Sequence, residues 1–356
     1  MKRETQTPSV SRESPEVNLQ PVLSRLVEGD QLTERETYEV FSAIMTGRVH
    51  DLHIAALLAI LQHRGAVVSE LTGAARVMRD HVSSVRLPED IDPTRVVDTC
   101  GTGGAPKTFN VSTLAAIVVA AAGGVVPKHG NRSRTGRGSA EILERLGVNV
   151  NAGPDVQEAC LREAGVCFSY AIHHHPAIRH VMPVRRTLGI PSIYNLLGPL
   201  TNPAGARRQL IGVYAPRLTE LLAEALANLK TERALVVHGH DGLDEFTITA
   251  PTRVSEVRSG VVTTRTIDAA DLGMERASLE DLQVQSLDEA ANVAREVLEG
   301  RPGPKRDMVA LNAGAACYLI GLRETLAESV AAVSEILNQG GAMATLEKLI
   351  KVSNQS

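Results

Sequence analysis

The sequence predicts an α/β protein with a small all-helical domain and a large α/β domain around a mainly parallel central sheet. Helical periodicity without strand signals runs from about residue 19 to residue 86. From residue 93 onward, short β-branched runs alternate with helical segments, which is the pattern that builds parallel sheets. The chain has 356 residues, of which 43% are hydrophobic, and this length suggests two domains.

The composition excludes bulk attraction to nucleic acid or to an anionic membrane. Lys and Arg number 37 against 41 Asp and Glu, which gives a formal charge of -4, so any anion site must be local. Residues 1–20 are polar and lack the apolar core of a signal peptide. The cysteines show no CxxC or metal-type spacing, so we expect reduced buried thiols in a cytoplasmic protein: Cys100, Cys160, Cys167 and Cys317.

The N-terminal helices are predicted from caps and apolar faces. Residues 1–18 have the composition of a disordered tail. Thr33 and Glu36 form a capping box, and the helix that follows ends at Gly47. Asp51 and Ser69 open two further helices. The proline-bracketed, acidic residues 87–93 then form a linker and a hinge.

The most informative stretch, residues 96–147, begins with a strand and a glycine-rich turn. Val96 and Val97 predict a short buried strand, and Gly101, Thr102, Gly103 and Gly104 predict a turn with unusual backbone angles. An apolar helix over residues 114–122 follows, and we expect Ser112 or Thr113 to cap it, leaving its amides free to face an anion. The sequence therefore predicts a phosphate-binding loop.

A second loop of the same type follows one crossover later. Val125 and Val126 predict a strand, and Lys128, His129, Gly130, Asn131 and Arg132 stand at its end. Ligands bind at the carboxyl ends of parallel strands, so the two loops should lie side by side. Glycine-rich turns also occur in α/β proteins that bind no ligand, but two such loops joined by one helix are more specific.

The α/β pattern then continues around a histidine-rich segment. A helix over residues 154–164 precedes a strand over residues 166–168. His173, His174 and His175 lie before Pro176, which opens a helix to Leu188 that Pro183 disturbs. Three adjacent histidines cannot all face one metal, so a zinc site is not expected.

The last strands place an acidic pair at a loop tip. Strands over residues 210–214 and 234–237 flank a helix over residues 216–229, and a hairpin is expected over residues 252–267. Asp244 and Glu245 follow the 234–237 strand. Carboxylates at a loop tip are usually only solvated, but at the edge that carries the phosphate loops they would provide oxygen ligands for Mg²⁺.

In these motifs the chain resembles the anthranilate phosphoribosyltransferase family. The shared motifs are GTGG at 101–104, NVST at 110–113, KHGNR at 128–132, GSAEILERLG from 138, the segment 174–203 and VVHGHDGLDE at 236–245. The resemblance implies the two-domain fold shared by nucleoside phosphorylases and these phosphoribosyltransferases. It implies a helical domain of residues 19–92 and 177–205, an α/β domain of residues 93–176 and 206–356, and a homodimer formed through the helical domain.

The resemblance also implies the reaction and its site. The family transfers the phosphoribosyl group of 5-phosphoribosyl 1-diphosphate to the amine of anthranilate, with Mg²⁺, in tryptophan biosynthesis. Its phosphoribosyl diphosphate site corresponds to Gly101, Gly104, Thr108, Asn110, Ser112, Thr113, Lys128, His129, Gly130, Asn131 and Ser139. Its anthranilate site corresponds to Gly101, Asn131, His175, Arg185 and Gly198, and its metal ligands correspond to Ser112, Asp244 and Glu245. No catalytic residue is expected beyond positioning and metal.

Two alternatives remain. A pyrimidine nucleoside phosphorylase shares the fold and a glycine and lysine phosphate site, although the KHGNR motif and the arginine of VRRTLG argue against it. The other is a non-enzymatic relative that binds nucleic acid, which the acidic charge and the intact acidic pair disfavour.

The chain departs from the family pattern in both phosphate loops. Ala105 replaces an aspartate after GTGG, Pro106 and Lys107 follow, and both loops are one residue shorter. One hypothesis is that Lys107, Arg134 and Arg137 contact phosphate directly and reduce the dependence on Mg²⁺. The alternative is that Pro106 only stiffens a shorter turn.

Overall fold

The structure is a computed structural model that describes residues 16–106, 108–133 and 136–355. The predicted tail, residues 1–18, lies largely outside the described residues, and so do Lys107 and Arg134. No helix within these described ranges is long and apolar enough to cross a membrane.

Four helices form the N-terminal part of the chain, and the last three of them were predicted. Thr33 caps the second of them, and its capping box with Glu36 is confirmed, with Glu36 N donating to Thr33 Oγ1 over 3.2 Å. A helix that was not predicted separately precedes it. The four are α1 (Gln20–Val27), α2 (Glu34–Met45), α3 (Asp51–Arg64) and α4 (Val68–Asp80).

The strands form a five-stranded sheet and a two-stranded sheet. The larger sheet has the order β1-β4-β5-β6-β7, and β1, β4 and β5 are parallel while β6 and β7 are antiparallel. The smaller sheet pairs β2 with β3 in parallel. Among the described residues, one isolated β-bridge joins the two sheets, between Val96, which precedes β1, and Val125, which precedes β2. The strands are β1 (Asp98–Gly101), β2 (Val126–Gly130), β3 (Val166–Tyr170), β4 (Arg208–Gly212), β5 (Arg233–Gly239), β6 (Thr252–Arg258) and β7 (Val261–Ile267).

Helices cover both faces of the larger sheet. The almost wholly apolar α5 and α14 pack against each other in one core, and α11 packs in the other, against β5, β6 and α4. The helices that complete the α/β part are α5 (Val111–Ala121), α6 (Ser139–Leu146), α7 (Pro154–Ala164), α11 (Leu218–Asn228), α12 (Leu279–Leu282), α13 (Leu287–Leu298), α14 (Pro304–Leu319), α15 (Leu326–Asn338) and α16 (Gly341–Ser353).

The segment after β3 leaves the sheet and packs with the N-terminal helices. The helix predicted from Pro176 to Leu188 is interrupted, as a 3₁₀ turn over Pro176–His180 precedes a helix that has Pro183 in its first turn. Buried side chains of this segment, such as Val181 and Leu197, share a core with those of the N-terminal helices. Its helices are α8 (Ala171–His174), α9 (Met182–Leu188) and α10 (Ile193–Leu197).

The link between the two parts is polar as well as apolar. Arg79 of α4 donates from Nε to the Leu200 carbonyl over 2.8 Å and from Nη1 to the Leu229 carbonyl over 3.3 Å. Burial lowers the pKa of Arg79 to about 10. The four cysteines are all buried and none forms a disulfide, in agreement with the sequence prediction.

Candidate active site

The carboxyl ends of β1, β2 and β5 bring three loops to one edge of the molecule. β1 ends at Gly101, β2 at Gly130 and β5 at Gly239, and each strand is followed by one of the predicted ligand loops. The strand starts and ends differ by a few residues from the sequence prediction, but the loops still leave the strands at the predicted edge. This edge is where parallel α/β sheets bind ligands.

The first glycine loop requires glycine for two separate reasons. Gly103 and Gly104 have φ values of 66° and 96°, which side chains with a Cβ rarely adopt. A Cβ on Gly101 would stand 3.1 Å from Asp244 Oδ2, tighter than ordinary contact. The turn is held by a hydrogen bond from Thr102 N to the Gly212 carbonyl over 2.9 Å.

The start of α5 corrects one sequence prediction. Neither Ser112 nor Thr113 caps this helix, because α5 begins at Val111 and Asn110 occupies the N-cap position. The Asn110 side chain makes no cap hydrogen bond and instead donates from Nδ2 to the Arg137 carbonyl over 3.1 Å. Asn110 therefore joins the two phosphate-type loops.

Thr113 lies in the first turn of this helix and is buried, with only 2% of its surface exposed. Ser112, by contrast, is half-buried at the helix start. Thr108 is half-buried in the loop before it.

The second loop is anchored by a buried lysine. Lys128 is 3% exposed and its Nζ donates to the Thr99 carbonyl over 2.5 Å and to the His129 carbonyl over 3.2 Å. Lys128 therefore fastens β2 to β1. Ser139 Oγ accepts from Asn131 N over 3.2 Å, and a Cβ on Gly130 would lie 2.3 Å from this same Ser139 Oγ.

The acidic pair meets the helix start, where the resemblance placed a metal. The Glu245 carboxylate accepts a hydrogen bond from the Ser112 main-chain amide, so α5 presents its positive end to the acid. Burial, and then the neighbouring charge of Asp244, raise the pKa of Glu245 to about 8, while Lys128 acts in the opposite direction. A bound cation would favour the charged form of Glu245, and two carboxyl groups beside a serine hydroxyl fit the oxygen ligands that Mg²⁺ prefers.

Close backbone contacts fix the position of the acidic pair. A Cβ on Gly212 would stand 1.5 Å from the Asp244 carbonyl oxygen, so only glycine allows β4 and the acidic loop to approach this closely. Gly239 N donates to the Leu243 carbonyl over 2.9 Å and closes the loop before the pair.

Two residues that sequence reasoning missed hold the acidic loop on either side of the pair. The Asp241 carboxylate accepts from Leu243 N over 3.0 Å, from Thr247 Oγ1 over 2.6 Å and from Thr249 Oγ1. Asn312 is fully buried on α14 and binds both main-chain groups of Phe246, which follows Glu245. The signal for Asn312 was a single polar residue inside an apolar helical run.

His175, predicted for the anthranilate site, contacts His129, predicted for the phosphoribosyl diphosphate site. His175 Nε2 and His129 Nε2 are 3.2 Å apart, and a His129 ring nitrogen also donates to the Gly198 main chain. Burial lowers the pKa of both rings, to about 4 for His175 and well below its usual range for His129. Two neutral imidazole rings share one hydrogen between their Nε2 atoms. The contacts from His175 to His129 and from His129 to Gly198 therefore connect the end of α8, β2 and the end of α10.

Arg185 approaches the same region from α9. Its guanidinium lies 5.1 Å from the centre of the Tyr194 ring, and Nη2 donates to Asn195 Oδ1 over 3.4 Å. Arg185 is half-buried while the adjacent Arg186 is exposed. A half-buried guanidinium held over an aromatic ring suits a planar carboxylate.

The departures from the family pattern are only partly described by the structure. Ala105 is half-buried, and Pro106 lies 3.9 Å from where a Cβ on Gly242 would stand. Arg137 donates from Nη1 to the Val284 carbonyl before α13, so that nitrogen binds within the protein instead of contacting a phosphate. The charge contributed by Lys107 and Arg134 lies outside the described residues.

Comparison with known proteins agrees with this geometry. Residues 93–343 match the glycosyl transferase family model for an a/b domain, and residues 20–82 match the model for its helical bundle domain. The chain is 46% identical to the anthranilate phosphoribosyltransferase of Desulfatibacillum aliphaticivorans, over 94% of this chain and 98% of that one. It is 45% identical to that of Symbiobacterium thermophilum, over 93% and 96%.

Solved structures give the same result. The chain is similar to the anthranilate phosphoribosyltransferase of Thermus thermophilus, with a TM-score of 0.86 and 42% identity over 94% of this chain and 99% of that one. It is similar to the Saccharomyces cerevisiae enzyme in complex with PRPP and Mg, with a TM-score of 0.82 and 25% identity over 94% and 97%. The chain therefore belongs to the anthranilate phosphoribosyltransferase family.

Proposed function

We propose that this protein transfers the phosphoribosyl group of 5-phosphoribosyl 1-diphosphate to the amine of anthranilate. The products are N-(5-phosphoribosyl)anthranilate and diphosphate, and the reaction belongs to tryptophan biosynthesis. The observation that carries the proposal is the contact between Glu245 and Ser112, because it sets an acidic pair beside a glycine loop and a helix start. That combination serves a substrate that brings both phosphates and a metal.

The residues of the acidic pair and the helix start fit a site for one or more Mg²⁺ ions. Asp244, Glu245 and the Ser112 hydroxyl would hold the metal, and bound Mg²⁺ would neutralise charge on the diphosphate leaving group. Lys128 lies too deep to move freely, so its charge acts from a fixed position at the end of β2. The relative from Saccharomyces cerevisiae carries PRPP and Mg, which supports the same use here.

Phosphoribosyl diphosphate would lie across the two glycine loops. The start of α5 and the loop after Gly130 would present main-chain amides to its phosphates, and the bond from Asn110 to the Arg137 carbonyl keeps the loops together. We assign its binding to Gly101, Gly104, Thr108, Asn110, Ser112, Thr113, Lys128, His129, Gly130, Asn131 and Ser139.

Anthranilate would bind between the two parts of the molecule, and residues 19–92 with 177–205, and 93–176 with 206–356, are the domains that we propose. Arg185 would bind its carboxylate, and we assign Gly101, Asn131, His175 and Gly198 to the same site. An aromatic amine is neutral at pH 7 and needs no general base. Catalysis is therefore positioning and stabilisation of the leaving group.

We further propose a cytoplasmic homodimer formed through the helical domain. A groove of about 550 Å³ lies between α1 and α3, and its lining includes Leu26, Val27, Ala59 and Ile60. Val27 is 73% exposed, which is unusual for a valine and favours cover by a second copy. The absence of disulfides at the four buried cysteines supports a reducing compartment.

The direct test is an assay with phosphoribosyl diphosphate, Mg²⁺ and anthranilate. We expect anthranilate fluorescence to be lost with time, and this loss to stop when EDTA removes the metal. Thymidine with phosphate should give no reaction. Phosphorolysis of thymidine without consumption of anthranilate would refute the proposal.

Replacing Arg185 with alanine should weaken anthranilate specifically. The lost charge-assisted contact predicts a roughly ten- to hundredfold fall in kcat/KM for anthranilate, with little change in KM for phosphoribosyl diphosphate. The exposed Arg186 is the matched control, and Arg186→Ala should retain nearly full activity. Equal losses in both variants would mean that Arg185 does not bind the carboxylate.

Glu245→Gln and Asp244→Asn should act through the metal. Each change removes a charge and keeps the side-chain shape, so activity should fall and recover partly as Mg²⁺ is raised. Binding of Mn²⁺, followed by electron paramagnetic resonance, should weaken in parallel. Asp271→Asn is the control, because Asp271 is exposed in the same part of the chain. If activity falls, raised Mg²⁺ does not restore it and Mn²⁺ binds as tightly as before, the replaced residue is not a direct metal ligand.

The lowered pKa of His175 predicts loss of stability in acid. The unfolded chain binds a proton near pH 6.5 while the folded chain resists it until about pH 4, so unfolding becomes easier as pH falls between these values. The contribution is at most about 1.4 kcal/mol per pH unit. His175→Gln should reduce this slope in denaturant titrations, whereas His240→Gln, at an exposed site, should not. Identical slopes in all three proteins would be inconsistent with a buried neutral ring.

A further inference from the structure

A cleft of about 650 Å³ opens at the end of the sheet opposite the candidate active site. Three arginines line it, Arg233 at the start of β5, Arg258 at the end of β6 and Arg323 before α15. Since β5 runs from Arg233 to Gly239 at roughly 3.3 Å per residue, the cleft lies about 20 Å from the loop of the acidic pair. It is separate from the site described above.

Arg233 is a mostly buried cation with little compensation. Its side chain is 19% exposed and its guanidinium lies 4.4 Å from the centre of the Tyr318 ring. Nη1 donates to the carbonyls of Tyr318 and Leu319 over 2.9 and 3.3 Å, but Nε has no partner in the part of the chain that the structure describes. These carbonyls fix the guanidinium without neutralising its charge.

The carboxylate nearest to Arg233 is committed elsewhere. Glu256 Oε1 is 4.0 Å from Arg233 Nη2, longer than a hydrogen bond. The same carboxylate accepts from Arg265 Nη2 over 2.9 Å and from Tyr318 Oη over 3.0 Å. A charge removed from water is costly unless an opposite charge lies close to it, so Arg233 leaves room for an anion.

Neither of the other two arginines forms a salt bridge with a described carboxylate, although the charge of Arg323 acts on Glu328 in the same cleft. Arg258 is exposed and makes no side-chain hydrogen bond or ion pair with any described residue. Arg323 donates from Nη1 only to the Leu322 carbonyl, over 2.8 Å, among the residues that the structure describes.

The acids that share the cleft compensate the arginines only in part. Glu328 Oε2 accepts from Thr325 N over 3.0 Å, which engages Glu328 in the capping box of α15. Glu324 is the other acid that lines the cleft, and it is exposed. Glu328 keeps its charge in that capping box and lies near Arg323, so the three guanidinium groups that line the cleft exceed its two carboxylates by one positive charge.

We propose that this cleft binds a small molecule that carries a phosphate or carboxylate group. The guanidinium forks of Arg233, Arg258 and Arg323 match the oxygens of either group, and Glu324 would accept from a hydroxyl or amino group beside it. The volume lies within the range of small-molecule sites. The proposal does not depend on the reaction at the other end of the sheet.

The test uses the full chain and a readout confined to the cleft. Phenylglyoxal modifies accessible arginines, and mass spectrometry gives the rate at each position. Inorganic phosphate and citrate serve as the two probes, each against sodium chloride of equal ionic strength. Arg295 is the matched control, because it is exposed, makes no side-chain contact with described residues and lies outside the cleft.

We expect one probe or both to slow modification of Arg258 by about threefold or more, because an arginine bound to an oxyanion is shielded. The Arg295 rate should not change. Protection by phosphate alone identifies a phosphate ligand, and protection by citrate alone identifies a carboxylate ligand. Equal rates at Arg258 with and without each probe would overturn the proposal.

A pair of variants supplies the second arm. Calorimetry uses the probe that protects Arg258, and Arg258→Gln with Arg323→Gln should abolish the saturable heat of binding of that probe while kcat for anthranilate stays unchanged. Arg295→Gln should leave that heat intact. Heat of the same size in the double variant would place the binding elsewhere and refute the assignment.

Discussion

The close approach of β4 to the acidic loop is the constraint on which the rest of the site depends. A Cβ on Gly212 would overlap the Asp244 carbonyl oxygen, at 1.5 Å. A Cβ on Gly101 would stand 3.1 Å from Asp244 Oδ2, tighter than ordinary contact. With those contacts made, the Ser112 amide reaches Glu245. Two glycines in neighbouring parallel strands therefore determine that acid, helix start and phosphate loop form one site.

Burying the ionisable groups of this site costs free energy of desolvation, and contacts within the protein offset only part of it. Lys128 and Asp98 are buried, and burial raises the pKa of Glu245 and of Asp98 because water cannot freely solvate the charged forms of these carboxyl groups. Asp98 accepts from His129 N over 3.3 Å, which ties this carboxyl group to the second loop. Such a site is stabilised further by a bound cation and a bound anion together, as in a ternary complex.

The fold class and the motifs could be predicted from the sequence because both depend on local patterns. The capping box at Thr33, the glycine loops and the hairpin that turns at Ser259 were predictable, since residue type alone restricts those conformations. The division into two sheets was not, because nothing in Val125 or Val126 reveals which strand will be the neighbour. The caps assigned to Ser112 and Thr113 were wrong, since Asn110 occupies the N-cap and uses its side chain elsewhere. Asn312 and Asp241 act through tertiary contacts and were beyond local reasoning.

The position of Asn312 links the evolution of the core to that of the site. Its amide binds the main chain next to Glu245, and its helix, α14, packs along α5, which begins next to Ser112. A shift of α14 by a fraction of an ångström would therefore move Glu245 relative to Ser112, even with every site residue intact. Substitutions at the apolar positions of α14 are therefore restricted by core packing and also by the need to keep the site residues in place. Such a helix should accumulate substitutions more slowly than its burial alone would require.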